Sequence, residues 1–289
     1  MAKLELTKHH GLGNDFLILL DLEDRFALSV EMVRRICDRH RGVGADGLIR
    51  ALPATAGPVA RMELSNSDGS RAEMSGNGIR CLAQALAAAG LSTASEFQIE
   101  TLAGTRGVSL RPGAAPEAVE VAVSMGAVEV SAFTDGELPG TEACRVSVGN
   151  PHLVLLLSEK GSADRVDRAD RVDGVELSNT AGQIGGVDLR ALGPVIESGF
   201  PGGINVEVVV PGPGEGEVSI GIWERGAGLT LGSGTGSTAA AAAARHWGLA
   251  GDRVLVNNPG GRLEVDLSGP EAIMTGEAVF IAKVEVPIT

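Results

Sequence analysis

The chain alternates between short extended stretches and a few helical ones, and the order of the two kinds is informative. In the first half, Leu4–Lys8, Phe16–Leu22, Leu48–Ala51, Arg61–Ser65, Phe97–Leu102, Thr105–Leu110 and the strictly alternating Ala118–Ser124 read as strands. The turn Gly11-Leu12-Gly13-Asn14 separates the first two, and Ala103-Gly104 signals a hairpin. Ser29 to Arg39 reads as a helix: Ser29 caps it, Val30, Val33 and Ile36 share a face, and Gly42 follows. In the second half, Cys144–Val148, Leu153–Leu157, Val206–Val210, Val218–Trp223, Val254–Val256 and Leu263–Leu267 read as strands, and Asp188–Ser198 as a helix. Ala278–Val286 is a last strand with no helix after it, placed to return to the first half.

Two segments repeat each other. Ser75-Gly76-Asn77-Gly78 opens a helix that ends at Gly90-Leu91, and Ser233-Gly234-Thr235-Gly236 opens another that ends at Gly248-Leu249. The offset is 158 residues at both ends of the segment. Serine is a favoured N-cap, alanine is the best helix former, and glycine closes a helix without a steric penalty. The repeat predicts two similar halves, each aiming a helix N-terminus. If the hydroxyls of Ser75 and Ser233 face each other across one cleft, two partly positive helix ends converge where a carboxylate can bind.

Composition narrows the function classes. At 289 residues the chain suits one large domain or two of medium size. A net charge of −13 argues against nucleic-acid binding, which needs a basic surface. Cys37, Cys81 and Cys144 have no framework or metal spacing, so free thiols in a reducing compartment are expected, with no metal. The N-terminus lacks an apolar signal core and no apolar run is long enough for a bilayer. The reading is a soluble, cytoplasmic protein without membrane contact.

Several glycine-punctuated segments carry polar side chains suited to a small charged ligand. They are His10-Gly11-Leu12-Gly13-Asn14-Asp15-Phe16, Asn66-Ser67-Asp68-Gly69-Ser70, Gly149-Asn150-Pro151-His152 and Glu224-Arg225-Gly226-Ala227-Gly228, with the two Ser-Gly-x-Gly turns. Singly, each reads as a turn, a cap or a surface ion pair. Together they supply amides for amine and carboxylate recognition and an arginine for bidentate contact with a carboxylate.

In order and wording these segments resemble the diaminopimelate epimerases, isomerases of lysine and peptidoglycan biosynthesis. The likeness also includes Gly42-Val43-Gly44-Ala45-Asp46-Gly47 and extends to Met274-Thr275-Gly276-Glu277-Ala278. It implies an α/β (α+β) fold of two pseudo-symmetric domains, each a curved, mostly antiparallel sheet around a central helix. The site lies in the cleft between them. The implied division is residues 1–123 with 277–289, and 124–276. The reaction interconverts the LL and meso forms of diaminopimelate by two-base proton transfer at Cα, without a cofactor. The resemblance gives the reacting α-carboxylate to the amides of Gly76, Asn77, Gly234 and Thr235. Asn14, Asn66, Asn150 and Asn205 would line the pocket, Arg225 would take the distal carboxylate, and Glu224 and His152 would tune the reacting pair. It gives Gly47 a place where the family often carries Gln. The family is often dimeric, which extends to this chain as a homodimer.

At the positions of Ser75 and Ser233 the family has its two catalytic cysteines. Inversion needs a base on one face of the carbon and an acid on the other. A helix N-terminus helps a thiol become a thiolate. It does not do the same for a serine hydroxyl: a dipole effect of about 0.3–1 kcal/mol is below the ~1.36 kcal/mol of a single pKa unit. Cys81 lies inside the helix and does not replace the missing thiol. Three readings remain open. Both thiols are engineered replacements; or a natural branch isomerises this or another amino acid with Ser75, Ser233, His152 and Glu224; or the chain is an inactive or ligand-binding paralogue.

Overall fold

In the computed structural model the described residues are 3–55, 57–133, 141–157 and 182–287. They fall into two units, Met1–Met125 with Ile273–Thr289, and Gly126–Ala272.

The first unit begins with a hairpin that its turn residues specify. β1 (Lys3–Gly11) and β2 (Asn14–Leu20) pair antiparallel about Leu12 and Gly13. These two have φ of 58° and 80°, the backbone of the hairpin turn whose twist matches that of its strands. The chain then crosses through α1 (Val30–Cys37), capped as expected by Ser29, whose hydroxyl accepts from the Met32 amide at 3.2 Å. Val33 and Ile36 on its inner face join Leu4, Leu6, Leu17 and Leu19 in one apolar cluster. β3 (Gly47–Leu52) returns parallel to β2, and β4 (Ala60–Asn66) pairs antiparallel with β3. A short β5 (Arg71–Ala72) folds onto β4 and leads into α2 (Gly76–Ala88). β6 (Glu96–Thr101), β7 (Gly104–Pro112) and β8 (Ala118–Gly126) follow, with β6 parallel to β4 and β7 antiparallel to both β6 and β8. The C-terminal strand pairs with β8 and with β1 and so closes the ring. Closure leaves no free edge. It also explains α2, which touches β1, β2, β3, β4 and β7 and is buried from Gly76 through Leu86. Each fully buried Ile79, Leu82 or Leu86 contributes about 1.5–3 kcal/mol of apolar burial.

The second unit repeats this order. β9 (Glu129–Ala132), β10 (Thr141–Ser147) and β11 (Pro151–Leu157) form an antiparallel meander. After the small hairpin β12 (Gln183–Ile184) and β13 (Val187–Asp188) comes α3 (Leu189–Ser198), capped by Asp188. β14 (Asn205–Pro211) lies parallel to β11, as β3 does to β2, and β15 (Glu217–Glu224) pairs antiparallel with it. A short β16 (Gly228–Leu229) precedes α4 (Gly234–His246), and β17 (Arg253–Asn258) and β18 (Gly261–Asp266) complete the set. Ala239 to Ala244 are buried on every side of α4, and their small side chains let seven strands approach it. The C-terminal strand, β19 (Ala272–Pro287), is the one already seen in the first unit.

The architecture is α+β with mostly antiparallel pairing around central helices, as the sequence predicts. Local differences have physical causes. The strand expected at Phe16–Leu22 stops at Leu20. Asp21 still donates its amide to the Ala51 carbonyl at 2.9 Å, while its side chain accepts the amides of Arg25 and Phe26, which turn the chain away, and pairs with buried Arg50. The hairpin expected at Ala103-Gly104 turns on Leu102-Ala103, because Gly104 belongs to the ladder with φ of 104°. β5, β9 and β16 are too short to show periodicity. Among the described residues no helix is long and apolar enough to cross a membrane.

Candidate active site

Each unit presents its helix N-terminus through the same local structure. Ser75 and Ser233 are both N-caps in extended conformation, with φ, ψ of −137°, 123° and −129°, 128°. The Ser75 hydroxyl accepts from the Gly78 amide at 3.0 Å, and the Ser233 hydroxyl from the Gly236 amide at 3.1 Å. A serine cap of this kind is worth about 1 kcal/mol of helix stability. The amides of Gly76 and Asn77, and of Gly234 and Thr235, belong to the first turns and are not needed by the helix ladder.

In the first unit the surroundings of the cap are neutral amides tied into a chain. Asn77, 2 % exposed, donates to Asn14 at 3.1 Å, and Asn14 donates to Asp46 at 2.8 Å. Arg39 bridges Asp46 and Asp15, and Lys8 pairs with Asp15 at 2.8 Å. Burial alone would raise the Asp15 carboxyl, but hydrogen bonds and charge from Arg39 and Lys8 hold it at about 2. Asn66 ends β4, exposed, with its amide on the Ser70 hydroxyl at 3.0 Å. Behind the chain sits Arg80, fully buried on α2. Its guanidinium donates to Asn77 Oδ1 at 2.9 Å, to the Gly76 carbonyl at 3.2 Å and to the Glu277 carbonyl at 3.4 Å. No carboxylate pairs with it among the described residues, and burial lowers it to about 10.

Gly47 faces Asn66 across β3 and β4. A Cβ there would stand 2.8 Å from the Ser65 carbonyl oxygen and 3.2 Å from the Phe16 ring. The backbone approach therefore accounts for glycine where the resemblance implies Gln.

The second unit repeats the frame with different chemistry. His152 pairs with Asn205 across β11 and β14 as Phe16 pairs with Gly47 across β2 and β3. The His152 ring is buried between Glu207 Oε1, 2.8 Å from Nδ1, and Asn150 Oδ1, 2.9 Å from Nε2. Asn205 donates to the Pro151 carbonyl at 2.9 Å and accepts the Arg225 amide at 3.0 Å. Glu224 is half-buried at the end of β15, accepts from Thr230 at 3.3 Å and is bonded to Ser233. Burial pushes its carboxyl up, and the charge of Glu207 adds to the rise. Arg225 is exposed, with its guanidinium on the Gly202 carbonyl at 3.3 Å.

Within the first unit the structure thus gathers Ser75, Gly76, Asn77 and Asn14 at the α2 terminus, with Asn66 at the end of β4. Within the second it gathers Ser233, Gly234, Thr235, Glu224, His152 and Asn150, with Asn205 and Arg225 beside them. Sequence reasoning missed Arg80 and Glu207. Each is a single charged residue inside an otherwise apolar run, a pattern that does not show what will enclose it. Cys81 is buried in α2 and pushed up to about 12, so it is an inert thiol.

Comparison with known proteins points to one family. The family model described as diaminopimelate epimerase matches residues 6–131 and 144–281. A diaminopimelate epimerase of Rhodococcus opacus is 36 % identical over 96 % of this chain and 96 % of its own. One of Mycobacteroides abscessus is 35 % identical over 98 % of this chain and 96 % of its own. Among solved structures, a phenazine biosynthesis protein of the PhzF family from Bacillus anthracis superposes with a TM-score of 0.71 at 16 % identity, covering 100 % of both chains. That last likeness concerns the fold.

Proposed function

The chain belongs to the diaminopimelate epimerase family, and from that premise we propose that it binds diaminopimelate and interconverts the LL and meso forms by two-base proton transfer at Cα. The observation that carries the reading is the pair of matched serine caps, each opening a buried helix amid side chains suited to an amino acid. In this reading the first-turn amides of Gly76, Asn77, Gly234 and Thr235 hold the reacting α-carboxylate. Asn14, Asn66, Asn150 and Asn205 fix the orientation of the substrate, and Arg225 grips its distal carboxylate. Glu224 and His152 serve the proton transfer beside Ser233. We place the protein in the cytoplasm, in lysine and peptidoglycan synthesis, as a homodimer.

The serines set the rate. A hydroxyl yields almost no alkoxide at neutral pH, and the helix dipole supplies too little to change that. Recognition is therefore intact and turnover slow. The serines also favour a second reading, a binding protein with the same pocket and no turnover. Calorimetry with each diaminopimelate isomer, and NMR of deuterium uptake at Cα in D2O, separate these. Binding with slow uptake supports the epimerase reading, and binding with none supports the second. An absence of binding contradicts both.

A further inference from the structure

We propose that Arg80 and Glu207 are positioning residues that give the two caps opposite proton affinities: position 75 favours negative charge, and position 233 favours a proton. This rests on the reading above only in taking the caps as the reacting positions.

The argument starts from what the repeat does not share. Gly78 and Gly236 hold the same place in their helices. A Cβ on Gly78 would meet Ile49 Cδ1 at 2.9 Å, whereas one on Gly236 would meet Glu207 Oε1 at 2.7 Å. The same position beneath the cap is thus a hydrocarbon in the first unit and a carboxylate in the second. Glu207 is fully buried. Its Oε1 takes His152, and its Oε2 has no hydrogen-bond partner among the described residues. A buried carboxylate so incompletely satisfied is a strong local source of negative potential. The hypothetical Cβ on Gly236 also lies 3.2 Å from Ser233 Oγ, so the cap hydroxyl and the carboxylate flank one small space. Glu224, bonded to Ser233, adds a second acid.

In the first unit the sign is reversed. Arg80 donates to the carbonyl of Gly76, the residue after Ser75, and to the side chain of Asn77. In α4 the residue equivalent to Arg80 is Thr238, a neutral group bonded to the Gly234 carbonyl at 2.8 Å. Several other charged groups on strands packed against α2 are paired. Asp15 is held by Lys8 and Arg39, Arg50 by Asp21 and Asp24, and Glu63 by Arg71. Arg106 adds a further cation, and buried His9 faces Gln84 two turns along the helix. Around α4, Glu129, Arg145, Arg262 and Glu264 are exposed, Glu217 bonds Asn257 and Arg253 pairs with Asp266. Near the caps, among the described residues, the first unit thus holds a cation with no carboxylate partner and the second holds two carboxyl groups, of which Glu207 pairs with His152.

Thiols placed at the caps report this directly, without substrate, so the result stands apart from any failure of the diaminopimelate reading. Ser75→Cys and Ser233→Cys are made separately, and thiolate absorbance is followed against pH, with the parent and its three buried thiols as baseline. The expected pKa at position 75 lies at least one unit below that at 233, about a tenfold difference in thiolate ratio. Glu207→Gln, nearly isosteric, should lower the value at 233 and leave that at 75 unmoved. Arg80→Gln should raise the value at 75 only. If that variant fails to fold, the Glu207 pair still decides. Equal pKa values, the reverse order, or a value at 233 indifferent to Glu207→Gln would overturn the proposal.

Discussion

The two caps are built alike and set in different chemistry. Around Ser75 the neighbours are the neutral amides Asn14 and Asn77. Around Ser233 they are the carboxyls Glu224 and Glu207 and the imidazole His152. The frame is shared because both helices need the same features: a serine cap, glycines in the first turn and a ring of strands to bury them. The difference lies where a repeat is free to diverge, in side chains that touch the cap without holding the fold. Phe16 and His152 occupy one place in the two units, and Ile49 and Glu207 another. In the proposed reading, duplicated geometry serves the recognition of a carboxylate, and unduplicated side chains serve the proton chemistry.

The comparison can be broken or sharpened at several points. The largest expected effect is on recognition. Arg225→Ala should weaken diaminopimelate binding about 10- to 100-fold, the scale of a charge-assisted hydrogen bond of ~1.5–3 kcal/mol, while the melting temperature barely moves because Arg225 is exposed. Calorimetry and thermal unfolding check the two halves of that statement.

Acid stability tests the ionic rim of the first unit. Asp15 is held at about 2 against an ordinary 3.8. A depressed carboxyl stabilises above its unfolded value and loses that contribution as pH falls through its folded one. About 2 kcal/mol should therefore disappear between pH 4 and 2, and Asp15→Asn should flatten that part of the curve. Denaturant unfolding at a series of pH values reads it.

Glycine substitution compares the two frames in one experiment. Gly78→Ala presses on Ile49 Cδ1 and Met62 Cε, the flexible ends of side chains. Gly236→Ala presses on Glu207, which is pinned by His152. The second should cost at least about 1 kcal/mol more than the first, as measured by urea unfolding.

The smallest effect concerns Glu224. Its carboxyl is raised, so the folded state favours the proton. The resulting stability is complete below 4.5 and is lost as pH rises through the folded value. At neutral pH the charged form is a burden. Glu224→Gln should be neutral or stabilising by less than about 1 kcal/mol at pH 7, and should lose that advantage at pH 4.

Much of this was legible in the chain. The caps, the central helices and most strands follow from serine, alanine and glycine placement, because local rules decide them. Glu224 and His152 stood out as polar groups in glycine-rich turns. Glu207 did not, since the run Asn205–Pro211 reads as an apolar strand and only pairing with β11 brings the glutamate to His152. Arg80 was hidden likewise: a helix pattern gives no sign that a cation will be enclosed by β1 and the C-terminal strand. Gly47 stands where the resemblance implies Gln, and only the fold shows the Ser65 carbonyl that accounts for the glycine.

The central claim is that proton transfer at Cα needs both position 75 and position 233, one as base and one as acid. The measurement that tests it is Cα-deuterium exchange and epimerisation of diaminopimelate by four proteins: the chain as it stands, Ser75→Cys, Ser233→Cys and the double variant. The account predicts that the double variant epimerises at least about 100-fold faster than the parent, and by far more than the two single changes combined, since base and acid are useless apart. A double variant no faster than the better single one would contradict it and reduce both serines to helix caps.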